Sequence, residues 1–213
     1  HPGTIYVTGS PLAEVLAYHQ KQIDQSKILE NLGLSKGKYF VASIHREENV
    51  EDKESLGKLI DSLNAVAENY QLPIFVSTPP RTQKLLGQYK FETSQLINFH
   101  KPFGFFDYVY LQKNAFCVLS DSGTLDETSI FKFPLIQIRN SSERPEAYDE
   151  GVTILSGLDR DIILQSIEIV TKQFASGEKF NTPKAYQGTN VSGKILRLVV
   201  GLTKIIQEKR ELW

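Results

Sequence analysis

Ala115-Phe116-Cys117-Val118-Leu119-Ser120-Asp121-Ser122-Gly123-Thr124 is the stretch that decides the fold. Ala115 to Ser120 is a short, near-continuous apolar run, the pattern of a strand covered on both faces. It passes through Asp121-Ser122-Gly123-Thr124 directly into a helical segment that reaches Phe131. A strand that turns through Ser-Gly-Thr into a helix is half of a βαβ unit.

The same alternation extends to both sides. Ile5-Tyr6-Val7-Thr8, Tyr39 to Ile44, Pro73 to Ser77, Leu96 to Phe99, Pro134 to Ile138 and Val152 to Leu155 read as strands. Between them, Leu56, Leu59, Ile60, Leu63, Val66, Ala67 and Tyr70 recur at i, i+3, i+4, i+7, an amphipathic helix. Ser10-Pro11 starts a helix as N-cap and first helical position. A shorter helix around Ile28–Leu34 ends at Gly33 or Gly37. Arg81 to Gln88, Phe105 to Lys113, Asp159 to Phe174 and Ser192 to about Glu211 complete the helices, and Gly177 to Gly188 reads as an irregular connector. Strands separated by helices give an α/β fold with a Rossmann-like, doubly wound parallel sheet. The expected domain spans 1–190, with 191–213 a long helix packed on it or beyond it.

Composition is that of a globular chain with a core: 213 residues, 40% apolar and 23% charged. A net charge of −1 gives no pull toward nucleic acid or anionic lipid. No apolar stretch has the length of a membrane span, and no signal peptide is recognisable. The lone Cys117 lies inside the apolar run and reads as a small buried hydrophobe, which suits a reducing, cytoplasmic location. The chain contains no methionine, and its first expected strand starts at once, so it reads as a piece of a longer protein.

Open parallel sheets bind ligands beyond the carboxyl ends of their strands. Here that rim carries His45-Arg46-Glu47-Glu48, Thr78 to Arg81, His100-Lys101-Pro102, Asp121 to Thr124 and Arg139 to Glu146. Ser122-Gly123-Thr124 has two readings: a phosphate cradle of free amides at a helix start, or a plain N-cap. His45 can hold a phosphate or exchange a proton near neutral pH, although an HREE run alone reads as local ion pairing. Arg144 offers a planar fork for a diphosphate, or a salt bridge that closes its loop. In the aromatic run Phe103 to Tyr108, a ring can stack on a base or belong to the helix core, and Phe105 and Phe106 are expected to divide between those roles. Metal-ligand spacing, a Walker loop, GxGxxG and GxSxG are all absent from the sequence.

Five motifs occur together: Val7-Thr8-Gly9-Ser10-Pro11; Ser43-Ile44-His45-Arg46-Glu47-Glu48-Asn49; Pro102 with Phe105 and Tyr108; Ser120-Asp121-Ser122-Gly123-Thr124; and Glu143-Arg144-Pro145-Glu146. In this order and spacing, across nearly the whole chain, they resemble the non-hydrolysing UDP-N-acetylglucosamine 2-epimerases of glycosyltransferase-B architecture. The resemblance implies that this is the C-terminal, UDP-binding half. It also implies epimerisation at C2 by elimination and re-addition of UDP, without a cofactor or metal. His45 would contact the diphosphate and assist its departure; Ser122, Gly123, Thr124 and Arg144 would hold the phosphates; Tyr108 would lie near the uracil. His100 to Tyr108 and the Gly-Thr-Leu after Ser122 resemble the branch that forms UDP-N-acetyl-L-fucosamine for capsule or O-antigen synthesis.

Two positions depart from the family pattern. The glutamate pair after the Ser-Gly turn is Glu127-Thr128, so the ribose-gripping position is Thr128, or the task is shared with Glu127. Pro79-Pro80-Arg81 stands where His-Pro-Arg is usual, and no role passes to Pro79. The family's N-terminal domain, which supplies an Arg-bearing loop and the carboxylates for the C2 proton, has no counterpart in the chain, and homodimers are the common state. Two alternatives stay open: a UDP-sugar glycosyltransferase of the same architecture, and a non-catalytic UDP-sugar-binding domain.

Overall fold

The computed structural model describes residues 5–210. Its strands are β1 (Phe40–Ser43), β2 (Ile74–Ser77), β3 (Ile97–His100), β4 (Cys117–Ser120), β5 (Leu135–Gln137) and β6 (Ile154–Leu155). They form one parallel sheet in the order β3-β2-β1-β4-β5-β6. That is the doubly wound order, with its reversal of direction between β1 and β4. The helices are α1 (Leu12–Tyr18), α2 (Gln20–Asp24), α3 (Ile28–Leu32), α4 (Glu47–Val50), α5 (Lys53–Tyr70), α6 (Pro80–Tyr89), α7 (Phe105–Lys113), α8 (Leu125–Phe131), α9 (Pro145–Asp149), α10 (Arg160–Ala175) and α11 (Val191–Arg210).

Strand alternation explains why helices cover both faces. Phe40 and Ala42 of β1 point to one side and join Cys117, Leu119 and Ile136 in a core closed by α5 and α10. Val41 points to the other side, with Val118 and Leu135, under Leu111 of α7, Leu125 of α8 and Ile28-Leu29 of α3. The stripe read from the sequence of α5 is buried along its length, from Leu56 to Ala67. Asp52 caps α5 by accepting from the Ser55 amide at 2.8 Å. Asp159 caps α10 by accepting from the Asp161 and Ile162 amides, each at 3.0 Å.

Three expectations are corrected in whole or in part. Ile5-Tyr6-Val7-Thr8 is not a strand: the segment has no regular structure, and Val7 is 93% exposed. Its β-branched composition is no guarantee of a strand, and it joins neither edge of the sheet, β3 or β6. The stretch Gly177 to Gly188 is the irregular connector expected, except at one short turn. It holds a 3₁₀ turn, Lys184–Tyr186, with Tyr186 buried, and the Ala185 carbonyl accepts from the Ser10 amide at 2.7 Å. Finally, α2, α4 and α9 were not expected; each is only four or five residues long, too short for a periodic signal. The helix after Ser10-Pro11 is present, and the Ser10 hydroxyl accepts from the Leu12 amide at 3.2 Å.

Candidate functional site

Register places the site. Ser43 of β1 lies directly beside Ser120 of β4. His45 and Ser122, each two residues further on, therefore emerge side by side at the topological switch, where ligands of such sheets bind.

Asp121 joins the two loops. It is fully buried, and its Oδ2 accepts from the backbone amides of His45 and Arg46, both at 2.9 Å, and from Asn49 Nδ2 at 3.3 Å. Its Oδ1 lies 3.2 Å from His45 Nδ1, which is also 3.2 Å from Ser43 Oγ. The ring is thus oriented through Nδ1, and among the described residues Nε2 has no protein partner. The hydrogen bond and charge of Asp121 raise the His45 pKa above its ordinary value, against burial and the Arg46 charge. The imidazolium is favoured where a phosphate would need it.

The turn is not a plain N-cap. Ser120 Oγ, Ser122 Oγ and Thr124 Oγ1 form a triangle with sides of 2.8, 3.0 and 2.9 Å. Neither Ser122 nor Thr124 uses its hydroxyl to cap α8, and the start of that helix has no side-chain cap. Among the described residues none accepts from the amides of Gly123, Thr124 or Leu125. Free amides at such a turn are a donor surface for an oxyanion. Gln137 Nε2 donates to the Ser122 carbonyl at 2.8 Å and fixes the turn from β5.

Arg144 closes the turn from α9. A Cβ on Gly123 would stand 3.6 Å from Arg144 Nη2, so the missing side chain leaves the backbone open beneath the guanidinium. Arg144 pairs with Asp126 rather than with a glutamate of its own loop. Glu143 instead receives Arg139 Nη2 at 2.8 Å and Arg46 Nη1 at 3.1 Å. Arg139 first, then the backbone amide of Glu143 and Arg46, hold the Glu143 carboxyl down at about 2. Arg46 also donates from Nε to the Asp121 carbonyl at 2.9 Å. The ion pairs expected of the HREE run therefore exist, but they cross loops and brace His45 instead of replacing it; Glu47 likewise meets Arg81 at 2.7 Å.

Of the aromatic run, Phe103 is the ring at the strand end. It stacks on His100 with centroids 4.2 Å apart, and the Tyr108 ring lies near-parallel to it at 6.3 Å. The Tyr108 hydroxyl points inward, toward Ser43, Gln112, Glu127 and Asp121, and burial raises its pKa. Phe106 packs with Leu16, Ile23 and Val109, while Phe105 stays exposed on its edge.

The UDP-N-acetylglucosamine 2-epimerase family matches residues 1–200. The chain belongs to that family. It is 36% identical over 180 residues to the UDP-N-acetylglucosamine 2-epimerase of Methanococcus maripaludis, covering 82% of this chain and 46% of that protein. Its fold superposes on the enzyme of that name from Rickettsia bellii with a TM-score of 0.84 at 37% identity, over 97% of this chain and 56% of the other. The UDP-GlcNAc 2-epimerase of Methanocaldococcus jannaschii, solved in complex with UDP-GlcNAc and UDP, matches at 28% identity and TM-score 0.82, over 94% and 56%. The chain spans about half the length of the curated relatives it matches.

Against this epimerase family background, His45, Ser122, Gly123, Thr124 and Arg144 converge on one rim, with Tyr108 reaching under it from α7. Thr128 is absent from that rim. It is 1% exposed and its hydroxyl donates to the Phe133 carbonyl at 2.5 Å, inside the helix packing. Glu127 does face the site: burial, with Asp126 adding to it, pushes its carboxyl up to about 7 against its own amide and Arg144. Asp121 and Asn49 stood inside the quoted motifs without a role, and Asp126 was not singled out from sequence. The signal for Asp121 was its place between a strand and the Ser-Gly turn, the rim position itself. Among the described residues no group of three or more His, Cys, Asp or Glu is arranged to hold a metal, and no helix is long and apolar enough to cross a membrane.

Proposed function

We propose that this chain is the nucleotide-binding half of a UDP-sugar 2-epimerase. The observation that carries the reading is the convergence of Arg144, His45 and the uncapped Ser122-Gly123-Thr124 turn at the sheet's switch point, in a chain of the epimerase family. The diphosphate lies on the turn amides, with Arg144 above it and the His45 imidazolium beside it. The base lies by the Phe103 and Tyr108 rings. In the reaction, the C2 proton is removed and the C1–O bond breaks. The electron pair of that bond leaves on UDP, and a glycal remains. Re-addition of UDP at C1 and protonation at C2 from the opposite face complete the inversion. Donors that gain strength as the diphosphate gains charge lower the barrier, the logic of an oxyanion hole.

The groups that take and return the C2 proton belong to the other half of the relatives' length, in this reading an N-terminal domain of the same protein. The sugar is a 2-acetamido sugar, with the L-fucosamine branch of capsule or O-antigen synthesis as the specific assignment. A homodimer in the cytoplasm is the matching setting, since nucleotide sugars are made there. Titration calorimetry of this chain with UDP tests the nucleotide site; a folded protein that gives no heat overturns it. For the activity, the full-length protein is incubated with UDP-GlcNAc in deuterium oxide. Deuterium entering at C2 is the expected result, and transfer of the sugar without C2 exchange would mean a glycosyltransferase.

A further inference from the structure

Asp126 sits in the first turn of α8, 1% exposed, and accepts from Nη1 of Arg144. The other edge of the guanidinium points elsewhere. Nη2, Cζ and Nε lie 3.6, 3.7 and 4.0 Å from the place a Cβ on Gly123 would occupy. The flat ion is bounded on another side by the Tyr186 ring, 5.7 Å from Cζ, and the Tyr186 hydroxyl donates to Glu146 at 2.8 Å. Arginine can serve two anions at once because its donors lie on separate edges of one plane. A buried carboxylate left without its cation is costly, so Arg144 has reason to stay on Asp126 when a second anion arrives.

We infer that Asp126 is a positioning residue: it anchors Arg144 through Nη1 so that the Nη2–Nε edge is presented to a phosphate lying on the turn at Gly123. The inference rests on the proposed UDP site, and it gives Arg144 a fixed pose before ligand binding. Asp126 offsets the charge of Arg144, so its contribution is orientation rather than attraction. The groups facing the pair are Glu127 beside Asp126 and Tyr186 beneath Arg144.

The test is a double-mutant cycle read by UDP calorimetry. Asp126→Ala is expected to weaken UDP binding about tenfold, the size of one lost charge-assisted contact. Asp126→Asn, whose amide oxygen still accepts from Nη1, is expected to stay within about threefold of wild type. In the Arg144→Ala background, Asp126→Ala is expected to change nothing further. Equal losses in both backgrounds, or full affinity in Asp126→Ala, overturn the inference. If Asp126→Ala does not fold, Asp126→Ser, too short to reach Nη1, takes its place in the cycle. The Arg144 Nε–H signal in nitrogen-15 NMR separates this from the function itself. A wild type that fails to bind UDP removes the proposed function, while a sharp Nε–H signal that survives in Asp126→Ala removes the anchor.

Discussion

Two buried aspartates flank the same turn, and they are held in opposite ways. Asp121, before Ser122, accepts from two backbone amides and the Asn49 side chain, and also orients His45. Asp126, after Gly123-Thr124, is held by a single arginine whose side chain is 40% exposed. The first carboxylate is part of the frame that joins β1 to β4. The second is bound only through a side chain that, in the proposed site, also serves the ligand. One turn thus combines a fixed edge with an edge whose partner is shared, and substitutions on the two sides should read out differently.

The largest effect is expected at the fixed edge. Asp121→Ala leaves the His45 and Arg46 amides without an acceptor and takes one of two acceptors from Asn49 Nδ2, and should cost about 3–5 kcal/mol in urea denaturation. If the variant folds, the His45 pKa measured by NMR should fall back toward its ordinary value; an unchanged stability would show that Asp121 frames nothing. Next is the pH dependence set by Glu127. Its folded pKa is raised, so the native state binds more protons than the unfolded chain between about 4.5 and about 7. The contribution of Glu127 to stability should be greatest below about 4.5 and decline through that window by at most about 3 kcal/mol. Denaturation of Glu127→Gln across the same range should be flatter.

At the shared edge, Arg144→Ala should weaken UDP binding by about 1–3 kcal/mol, and it should also lower the urea midpoint, because buried Asp126 loses its cation. Unchanged affinity would take Arg144 out of the site. The smallest effect belongs to Thr128. Thr128→Val should lose about 1 kcal/mol of stability through the Phe133 carbonyl and leave UDP affinity as it was. A drop in affinity would return Thr128 to the ribose.

The sheet and its long helices were legible because their signals are local: apolar runs at β1, β4 and β5, and the 3.6-residue stripe on α5. The Ile5–Thr8 stretch carried the same local signal and failed, because strand formation needs a neighbouring edge that composition does not reveal. At the site, His45, Ser122 and Arg144 could be found by their place at strand ends. Their partners could not. Asp126 pairs with Arg144 across 18 residues, and Arg46 with Glu143 across 97. Ion pairs at such separations depend on which loops the fold brings together. The choice between N-cap and phosphate cradle also required coordinates, since it turns on where two hydroxyls point.

The proposed diphosphate site at Ser122-Gly123-Thr124 can be tested by titrating the nitrogen-15-labelled chain with UDP and, in parallel, with uridine. UDP is expected to produce its largest amide shifts at Gly123, Thr124 and Leu125, and uridine to move those three little. UDP binding that leaves these amides in place, or uridine shifting them as strongly as UDP does, would contradict it.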